Sequence, residues 1–269
     1  MPGIDHRLRF ESFGVCAELI SDDRGVFEAM REALPPGWRT ATAEPGATFR
    51  VKTTGEVIRD ERALVRRARQ PESLVTEFTS ALRQHIAENA PDHVFIHAGV
   101  VGVDGAAIVI PGKSFSGKTT LVAELVDRGA TYYSDEYAVV GDDGLIQPFA
   151  QPLSLRPPDS AGGRAGERAG GRDRVPIPHE QTGRDPIRAG VILVTSYEPG
   201  ADWEPRTGTA AEGASALFEN TVQARLRPRQ AMRAVSLVAR GVAVFTGARG
   251  EARQLAEVLL TGTSLIRLD

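Results

Sequence analysis

The amino-acid sequence predicts an α/β fold: a layered sheet with flanking helices over residues 91–269, preceded by a small α+β region over residues 1–90. Two observations support this prediction. Continuous apolar runs at 94–101, 106–110 and 189–196 are typical of buried strands. Segments with helical apolar spacing follow these runs, and this order is typical of a sheet that carries helices on its faces.

The first region combines strand and helix patterns but contains no cluster of residues with an evident chemistry. Apolar and polar residues alternate over 7–20, and the phase slips at Ser12, which predicts either one bulged strand or two strands that meet there. Asp22 or Asp23 is predicted to cap the helix that follows. A second helix is predicted from apolar residues that recur every four positions: Leu74, Phe78, Leu82 and Ile86.

The composition restricts the class of protein and its partners. A chain of 269 residues can bury a core without disulfides, and its single cysteine, Cys16, fits a reducing compartment. A net charge of −3 carries no signature of nucleic-acid or membrane binding, so we expect neither partner. The N-terminus lacks the apolar segment of a signal peptide, and no run reaches membrane-spanning length. We therefore expect a cytoplasmic protein.

Residues 112–119 read GKSFSGKT and fit the P-loop pattern G-x-x-x-x-G-K-[ST]. In this pattern Gly112 and Gly117 let the backbone curl, so that successive N–H groups face phosphate oxygens. Lys118 contributes a positive charge to the outer phosphates, and the Thr119 hydroxyl can bind a Mg²⁺ that bridges them. A helix that starts here adds its N-terminal dipole.

The sequence on both sides of the pattern fits a P-loop, because an apolar strand precedes it and a helical pattern that Gly129 can end follows it. We therefore predict that the chain binds ATP, or a closely related phosphate compound, together with Mg²⁺. The predicted nucleotide-binding residues are Gly112, Lys113, Ser114, Phe115, Ser116, Gly117, Lys118, Thr119 and Thr120.

An acidic pair, Asp135-Glu136, follows the strand predicted over 130–134. Ligands of open α/β sheets gather at the carboxyl ends of strands, where two acids can bind a metal and deprotonate a nucleophile. The alternative is a surface pair that caps a turn. His97 lies in the middle of an apolar strand, where histidine is more often a hydrogen-bonded core residue. Arg156, Arg225 and Arg227 are candidates for a phosphate clamp, although each is of a type more often found on the surface.

Residues 157–188 are rich in glycine, proline and arginine, which predicts a long mobile loop. This loop either closes over a substrate or is a disordered insertion. The run at 189–196 is predicted to be a central strand because every position but the last two is apolar or glycine. The elements predicted beyond it are helices at 209–220, from Pro228 and at 251–260, and a strand at 242–246.

The motifs IHAGVV and PGKSFSGKTTLVAELVDRGATYYSDEYAVV together resemble the core of the bacterial HPr kinase/phosphorylase family. The resemblance covers about residues 94–140. It implies that Asp135 is the base that takes the proton from a serine hydroxyl and that His97 interacts with it. It also implies that Glu136 and Thr119 lie beside the metal, and that the chain forms a homo-oligomer.

The sequence departs from that family at three places. His97 is followed by alanine where the family has glycine, Asp135 is followed by Glu136 where the family has a second aspartate, and the Glu-Ile-Arg-Gly signature is absent. In addition, the family's C-terminal motifs for docking the HPr protein are not recognisable, and its N-terminal domain is unlike residues 1–90, so HPr is not the expected acceptor. The layout is more similar to divergent HPr-kinase-related proteins, among them the lasso-peptide precursor kinases.

These patterns and the resemblance together predict an ATP-dependent kinase that transfers the γ-phosphoryl group to a serine-type hydroxyl of a peptide, protein or small molecule. The expected catalytic residues are Asp135, His97 and Lys118, and the expected metal neighbours are Thr119 and Glu136. The alternative is a nucleotide-binding regulatory protein, or a slow ATPase, without a phosphoryl acceptor. A transport ATPase is disfavoured because the acids follow the first helix immediately.

Overall fold

The structure is a computed structural model, which describes residues 5–60, 63–67, 73–112, 116–155 and 173–261. The chain divides into two compact units, Met1–His93 and Val94–Asp269. The boundary predicted after residue 90 lies close to this division. Among the described helices, none has both the length and the apolar character that a membrane crossing needs.

The first unit contains a sheet with the strand order β3-β1-β2-β4-β5-β6. Its elements are β1 His6–Ser12, β2 Val15–Ser21, α1 Arg24–Glu32, β3 Arg39–Thr40, β4 Ala47–Lys52, β5 Glu56–Arg59, β6 Ala63–Arg67 and α2 Leu74–Asn89. The phase slip at Ser12 is a hairpin between β1 and β2, so the second of the two predicted alternatives, two strands that meet there, is the one observed. Asp23 caps α1 by accepting a hydrogen bond from the Val26 N–H at 2.8 Å.

The helix α2 packs against the sheet through the four-residue apolar spacing of its sequence. Leu74, Phe78, Leu82 and Ile86 are all buried. His85 lies on the same helix, with its ring 5.5 Å from that of Phe49 between centroids. The Asn89 side-chain amide lies 3.2 Å from His85 Nδ1, a geometry that suits a neutral imidazole with an unprotonated Nδ1.

Stability of the first unit is expected to fall as the pH drops below about 6.5, the ordinary pKa of histidine. Burial lowers the pKa of His85, the Arg59 charge lowers this pKa further, and Asp60 and Glu88 oppose the shift. The unfolded chain therefore binds a proton that the folded chain excludes. Between the two pKa values the loss is at most about 1.4 kcal/mol per pH unit.

Urea unfolding at pH 7.5 and 5.5, followed by Trp38 fluorescence in a Trp203→Phe background, measures this loss. His85→Gln is expected to remove most of the pH dependence. His179→Gln changes an exposed histidine of the second unit and is expected to leave the dependence unchanged. Equal pH dependence in the His85→Gln variant and the parent would contradict the assignment.

The second unit is built on a sheet with the order β11-β10-β7-β8-β14-β16-β15, and β9 also pairs with β7. The strands β8, β14 and β16 run parallel to one another, while β7 is antiparallel to β8. The elements are β7 His93–Val103, β8 Ala106–Pro111, α3 Lys118–Asp127, β9 Thr131–Ser134, β10 Tyr137–Gly141, β11 Ile146–Gln147, β12 Leu153–Leu155, β13 Asp173–Val175, β14 Ala189–Tyr197, β15 Arg206–Gly208, α4 Ala210–Glu219, α5 Pro228–Ala239, β16 Ala243–Arg249 and α6 Ala252–Thr261.

Helices cover both faces of this sheet. In β8, Ala107 and Val109 belong to a buried cluster that includes residues of α4 and α5. Ile108 and Ile110 belong to a second cluster, with residues of α3 and α6. Successive side chains of a strand point to opposite faces, so the apolar run of β8 is buried on both sides. The mixed α/β prediction is confirmed, and so is the central position of β14, between β8 and β16.

The predicted mobile loop over 157–188 needs correction in its second part; residues 156–172, including Arg156, lie outside the described residues. The strand β13 pairs with β12, and Ile146 and Ile187 exchange two backbone hydrogen bonds, of 2.8 and 3.0 Å. Ile187 is also buried in the core. The composition concealed this order because backbone pairing, rather than an apolar pattern, holds much of the segment.

Candidate functional site

The strand β7 brings the start of the P-loop and the acidic pair together. On one side of the strand, the Gly112 N–H donates to the carbonyl oxygen of His97 at 3.1 Å. On the other side, the Ala98 N–H donates to the carbonyl oxygen of Glu136 at 3.3 Å. Two adjacent residues of one strand therefore fix both parts of the predicted site. The carboxyl ends of the parallel strands β8, β14 and β16 lie at this same edge of the sheet, where ligands of such sheets bind.

The described end of the P-loop combines a left-handed glycine with a buried lysine. Gly117 precedes α3 with φ of 77°, a left-handed conformation that glycine adopts without strain. Lys118 is only 8% exposed, and its ammonium donates to the Gly112 carbonyl oxygen at 2.6 Å, across the loop. The Ser116 hydroxyl is buried with no hydrogen-bond partner among the described residues. A buried hydroxyl in this position can bind an oxygen of a ligand.

Three of the predicted nucleotide-binding residues, Lys113, Ser114 and Phe115, lie outside the described residues. Thr120 is exposed in the first turn of α3. Thr119 precedes it, and its side chain is near enough to Asp135 to lower the pKa of that carboxyl group. The start of the P-loop helix and the first acid of the pair are therefore neighbours.

Asp135 lies among the groups of the site and interacts with Tyr132, Glu136 and Lys118. Its Oδ1 accepts a hydrogen bond from the Tyr132 hydroxyl at 3.0 Å, and this hydroxyl also lies 2.8 Å from the Gln151 carbonyl oxygen, so its one proton is shared. Burial raises the pKa of Asp135, the Glu136 charge raises it further, and the hydrogen bonds from Tyr132 and Thr119 oppose the shift. The result is a carboxyl group with a strengthened affinity for a proton, as a general base needs.

Lys118 faces the two acids. Burial lowers the pKa of Lys118 to about 8, and the negative charges of Asp135 and Glu136 oppose this shift. A pKa near 8 leaves the side chain mostly protonated at neutral pH. The charges of the two acids therefore favour a protonated Lys118 at the start of α3, where the helix N-terminus is itself positive.

His97 reaches the site but does not pair with the predicted acid. Its ring lies 4.8 Å from the Tyr137 ring between centroids, and burial and then the Lys118 charge lower the pKa of His97. Because its pKa is lowered, the His97 ring beside Lys118 is expected to be neutral. Among the described side chains, Tyr132 donates a hydrogen bond to Asp135, and no hydrogen bond joins Asp135 to His97. The interaction that the family resemblance implied is therefore not made in this structure.

Arg249, at the carboxyl end of β16, is a residue of the site that the sequence reading missed. It is 2% exposed, and its Nη2 donates to the Gly117 carbonyl oxygen at 3.0 Å. Its Nη1 donates to the Gly250 carbonyl oxygen at 3.1 Å, while its Nε is buried without a partner among the described residues. An arginine that ends an apolar strand and is followed by glycine was the available signal. The arginines chosen instead included Arg225, which is exposed.

The oxygen atoms at this place suit a Mg²⁺ that is shared with phosphates. Thr119 is near enough to Asp135 to lower the pKa of its carboxyl group, and Glu136 is the next residue in the chain. Across the described segments, no group of three or more His, Cys, Asp or Glu side chains is arranged to hold a metal ion. Mg²⁺ needs no such cage, because it is usually bound by one or two carboxylates together with substrate phosphates and water. The residues present therefore fit the metal that the P-loop pattern implies.

Tyr132→Phe is expected to lower the rate of any reaction in which Asp135 acts as a base by about tenfold, because the lost hydrogen bond orients the carboxyl group and favours its ionised, proton-accepting form. Nucleotide affinity should stay unchanged, because the hydroxyl binds the acid and not the P-loop. Tyr133→Phe is the matched control, since the adjacent hydroxyl donates to the Asp185 carbonyl oxygen instead. Turnover number and nucleotide Kd, measured separately, check the prediction. Equal turnover in the two variants would contradict it.

The comparisons with known proteins give a distant likeness. No protein-family model matches the sequence, and a search of curated proteins finds no match. Among solved structures, the Hpr(Ser) kinase/phosphatase from Coxiella burnetii matches with 17% sequence identity and a TM-score of 0.34, over 64% of this chain and 96% of that chain. Values this low indicate a distant structural relationship and transfer no residue roles, so a function has to rest on the residues of the site.

Proposed function

We propose that this chain is an ATP-dependent kinase that transfers the γ-phosphoryl group to a serine-type hydroxyl of a peptide, a protein or a small molecule. One observation supports this function above all others: adjacent residues of β7 hold the first residue of the P-loop, through the Gly112 N–H, and the acidic pair, through the Glu136 carbonyl oxygen. Asp135, the residue that we propose as the base, is close enough to the P-loop for its charge to act on the Lys118 ammonium. Phosphoryl transfer to a hydroxyl requires such a base and a cluster of positive charge.

Each residue has a distinct part in the proposed reaction. Asp135 accepts the proton of the acceptor hydroxyl while the hydroxyl oxygen forms a bond to the γ-phosphorus. The bond from this phosphorus to the bridging oxygen breaks, and ADP leaves. Lys118 and the N-terminus of α3 stabilise the negative charge on the transferred group. Both are in place beside Asp135, whose charge acts on the Lys118 ammonium.

Two further residues position this machinery. Arg249 holds the Gly117 carbonyl oxygen and so fixes the end of the P-loop where α3 begins. His97 contributes its carbonyl oxygen to Gly112 and a neutral ring beside Lys118. Thr119 and Glu136 would hold Mg²⁺, which when bound neutralises charge on the phosphates.

The test is an assay with γ-³²P-labelled ATP, Mg²⁺ and a panel of acceptors that contains serine peptides and free serine. Label transferred to an acceptor supports the kinase. Release of labelled free phosphate, with no labelled acceptor across the panel, would instead support a slow ATPase or regulatory nucleotide-binding protein. Failure to bind ATP at all would contradict both the kinase and the alternative of an ATPase or regulatory nucleotide-binding protein. Cytoplasmic location and oligomer formation stay as expectations.

A further inference from the structure

A cavity of about 260 Å³ opens beside the P-loop in the second unit. Its walls come from the segment that follows β14, from the end of β16 and from the first turns of α6. The lining residues that matter are Trp203, Arg249, Glu251, Gln254, Leu255 and Val258. The acidic pair lies on the β7 side of β8, whereas β14 and β16 lie on the other side. The cavity is therefore on the side of the P-loop strand away from Asp135.

Arg249 joins this cavity to the P-loop. This residue lines the cavity, and its Nη2 donates to the Gly117 carbonyl oxygen at 3.0 Å. The residue is 2% exposed, and its Nε is buried without a partner among the described residues. A ligand that fills the cavity would lie next to the last turn of the phosphate loop.

The walls suit a flat aromatic ring. Trp203 packs against the backbone of β16, where a Cβ added at Gly247 would lie 3.2 Å from the indole. Val258 is 46% exposed and lies above the buried Leu255. Tyr197, 47% exposed, has its ring 5.6 Å from the Arg249 guanidinium carbon. Exposed apolar and aromatic surface beside a polar loop is typical of a small-molecule site.

Two polar side chains can read the edge of such a ring. Gln254 is exposed on the first turns of α6, and its amide offers both a donor and an acceptor. Glu251 accepts a hydrogen bond from the Tyr197 hydroxyl at 2.9 Å, which fixes an acceptor at the same rim. A glutamine amide pairs with the N6 and N7 edge of adenine, whereas guanine presents two acceptors at the corresponding edge.

We propose that this cavity binds the adenine base of the nucleotide whose phosphates bind the P-loop. The proposal rests on the proposed function, because it assumes a nucleoside triphosphate at that loop. The hydroxyl acceptor is not the occupant, since it must reach Asp135 on the opposite side of β8. The base stacks on Trp203, Gln254 reads its edge, and Arg249 connects the base subsite to Gly117.

The two tryptophans of the chain make the test direct, because Trp38→Phe leaves Trp203 as the only one. ATP is expected to change the fluorescence of this variant. Tripolyphosphate carries the phosphates without a base, so it should compete with ATP and leave the fluorescence unchanged. GTP is expected to bind about tenfold more weakly than ATP, the discrimination of one base-edge contact.

Variants of the cavity separate the base from the phosphates. Trp203→Ala and Gln254→Ala are each expected to raise the Kd for ATP about tenfold, in the range of one stacking or base-edge contact, and to leave the Kd for tripolyphosphate unchanged. Gln254 is exposed on a helix, so this variant remains informative if Trp203→Ala does not fold. The matched control is Arg253→Ala, on the same turn, whose side chain pairs with Glu257 instead.

The outcomes distinguish the two proposals. If ATP and tripolyphosphate bind equally well and Trp203 does not respond, the base subsite is wrong and the phosphate site stands. If Gln254→Ala and Arg253→Ala have the same affinity for ATP and GTP as the parent, the reading of the base edge is wrong. If neither ATP nor tripolyphosphate binds, the proposed function itself fails, and the base subsite fails with it.

Discussion

Asp135→Asn is expected to lower phosphoryl transfer by about 10²- to 10⁴-fold, the usual contribution of a general base. The amide has the shape of the carboxyl group but cannot take the proton of the acceptor hydroxyl. Its carbonyl oxygen can still accept the hydrogen bond from Tyr132, so the turn should keep its geometry. Binding of ATP should therefore survive, because the phosphates contact the P-loop and not this side chain.

The measurement pairs the initial rate of label transfer with the Kd for ATP. Asp142→Asn is the matched control, since Asp142 is an exposed acid in the turn between β10 and β11 and leaves the site untouched. Retained transfer in Asp135→Asn would remove the base assignment without removing the kinase. Loss of ATP binding would show that the carboxyl group supports the loop and would leave its chemical role unsupported.

Local sequence patterns predict the parts of this fold in which each element depends on its own residues. The strand β8 and the helix α3 follow from an apolar run and a helical stripe. The apolar run at 189–196 likewise becomes β14, a central strand. Two- and three-residue strands such as β3, β13 and β15 were not foreseen. They exist because a longer neighbour pairs with them, and so few residues carry no periodic signal.

The candidate site shows the same division. The P-loop and the acidic pair stand in the sequence as motifs, and the strand order then brings them together across β7. The partners of Asp135 could not be read from spacing, because Tyr132 and Tyr133 are adjacent and equal in chemistry. Their side chains lie in different core clusters, and only the strand's placement decides that Tyr132 meets the acid.

Arg249 is separated from Gly117 by 132 positions in the chain, so their contact depends on the long-range order of β8, β14 and β16. No spacing rule connects an arginine at the end of one strand to a glycine beyond the end of another. Parallel strands place their carboxyl ends at one edge, which is the physical reason that such residues meet. Because of this contact, position 117 has two requirements: a residue that tolerates a positive φ, and space for the Arg249 guanidinium group.

Gly117→Ala is expected to destabilise the second unit by about 2–4 kcal/mol and to weaken nucleotide binding more than tenfold. Two costs add up: alanine is strained in the left-handed backbone conformation, and a buried hydrogen bond is disrupted. Gly117 has φ of 77°, and a Cβ there would lie 2.5 Å from Arg249 Nη2. The guanidinium group must move, and its hydrogen bond to the Gly117 carbonyl oxygen must lengthen or break.

Gly105→Ala separates the two contributions. Gly105 has φ of 81°, close to that of Gly117, but nothing lies within 4 Å of a Cβ added there. This variant should therefore lose only the backbone contribution, about 1–2 kcal/mol, and bind nucleotide like the parent. Urea unfolding followed by Trp203 fluorescence gives the stabilities, and titration with ATP gives the affinities.

A double-mutant cycle with Arg249→Met isolates the contact itself. If the alanine methyl group acts mainly through Arg249, the two substitutions should be less harmful together than the sum of their separate effects, by about 1 kcal/mol or more. Strict additivity would mean that the two side chains act independently. That result would contradict the proposed role of Arg249 in fixing the end of the P-loop. It would leave the need for a left-handed conformation at Gly117 unaffected.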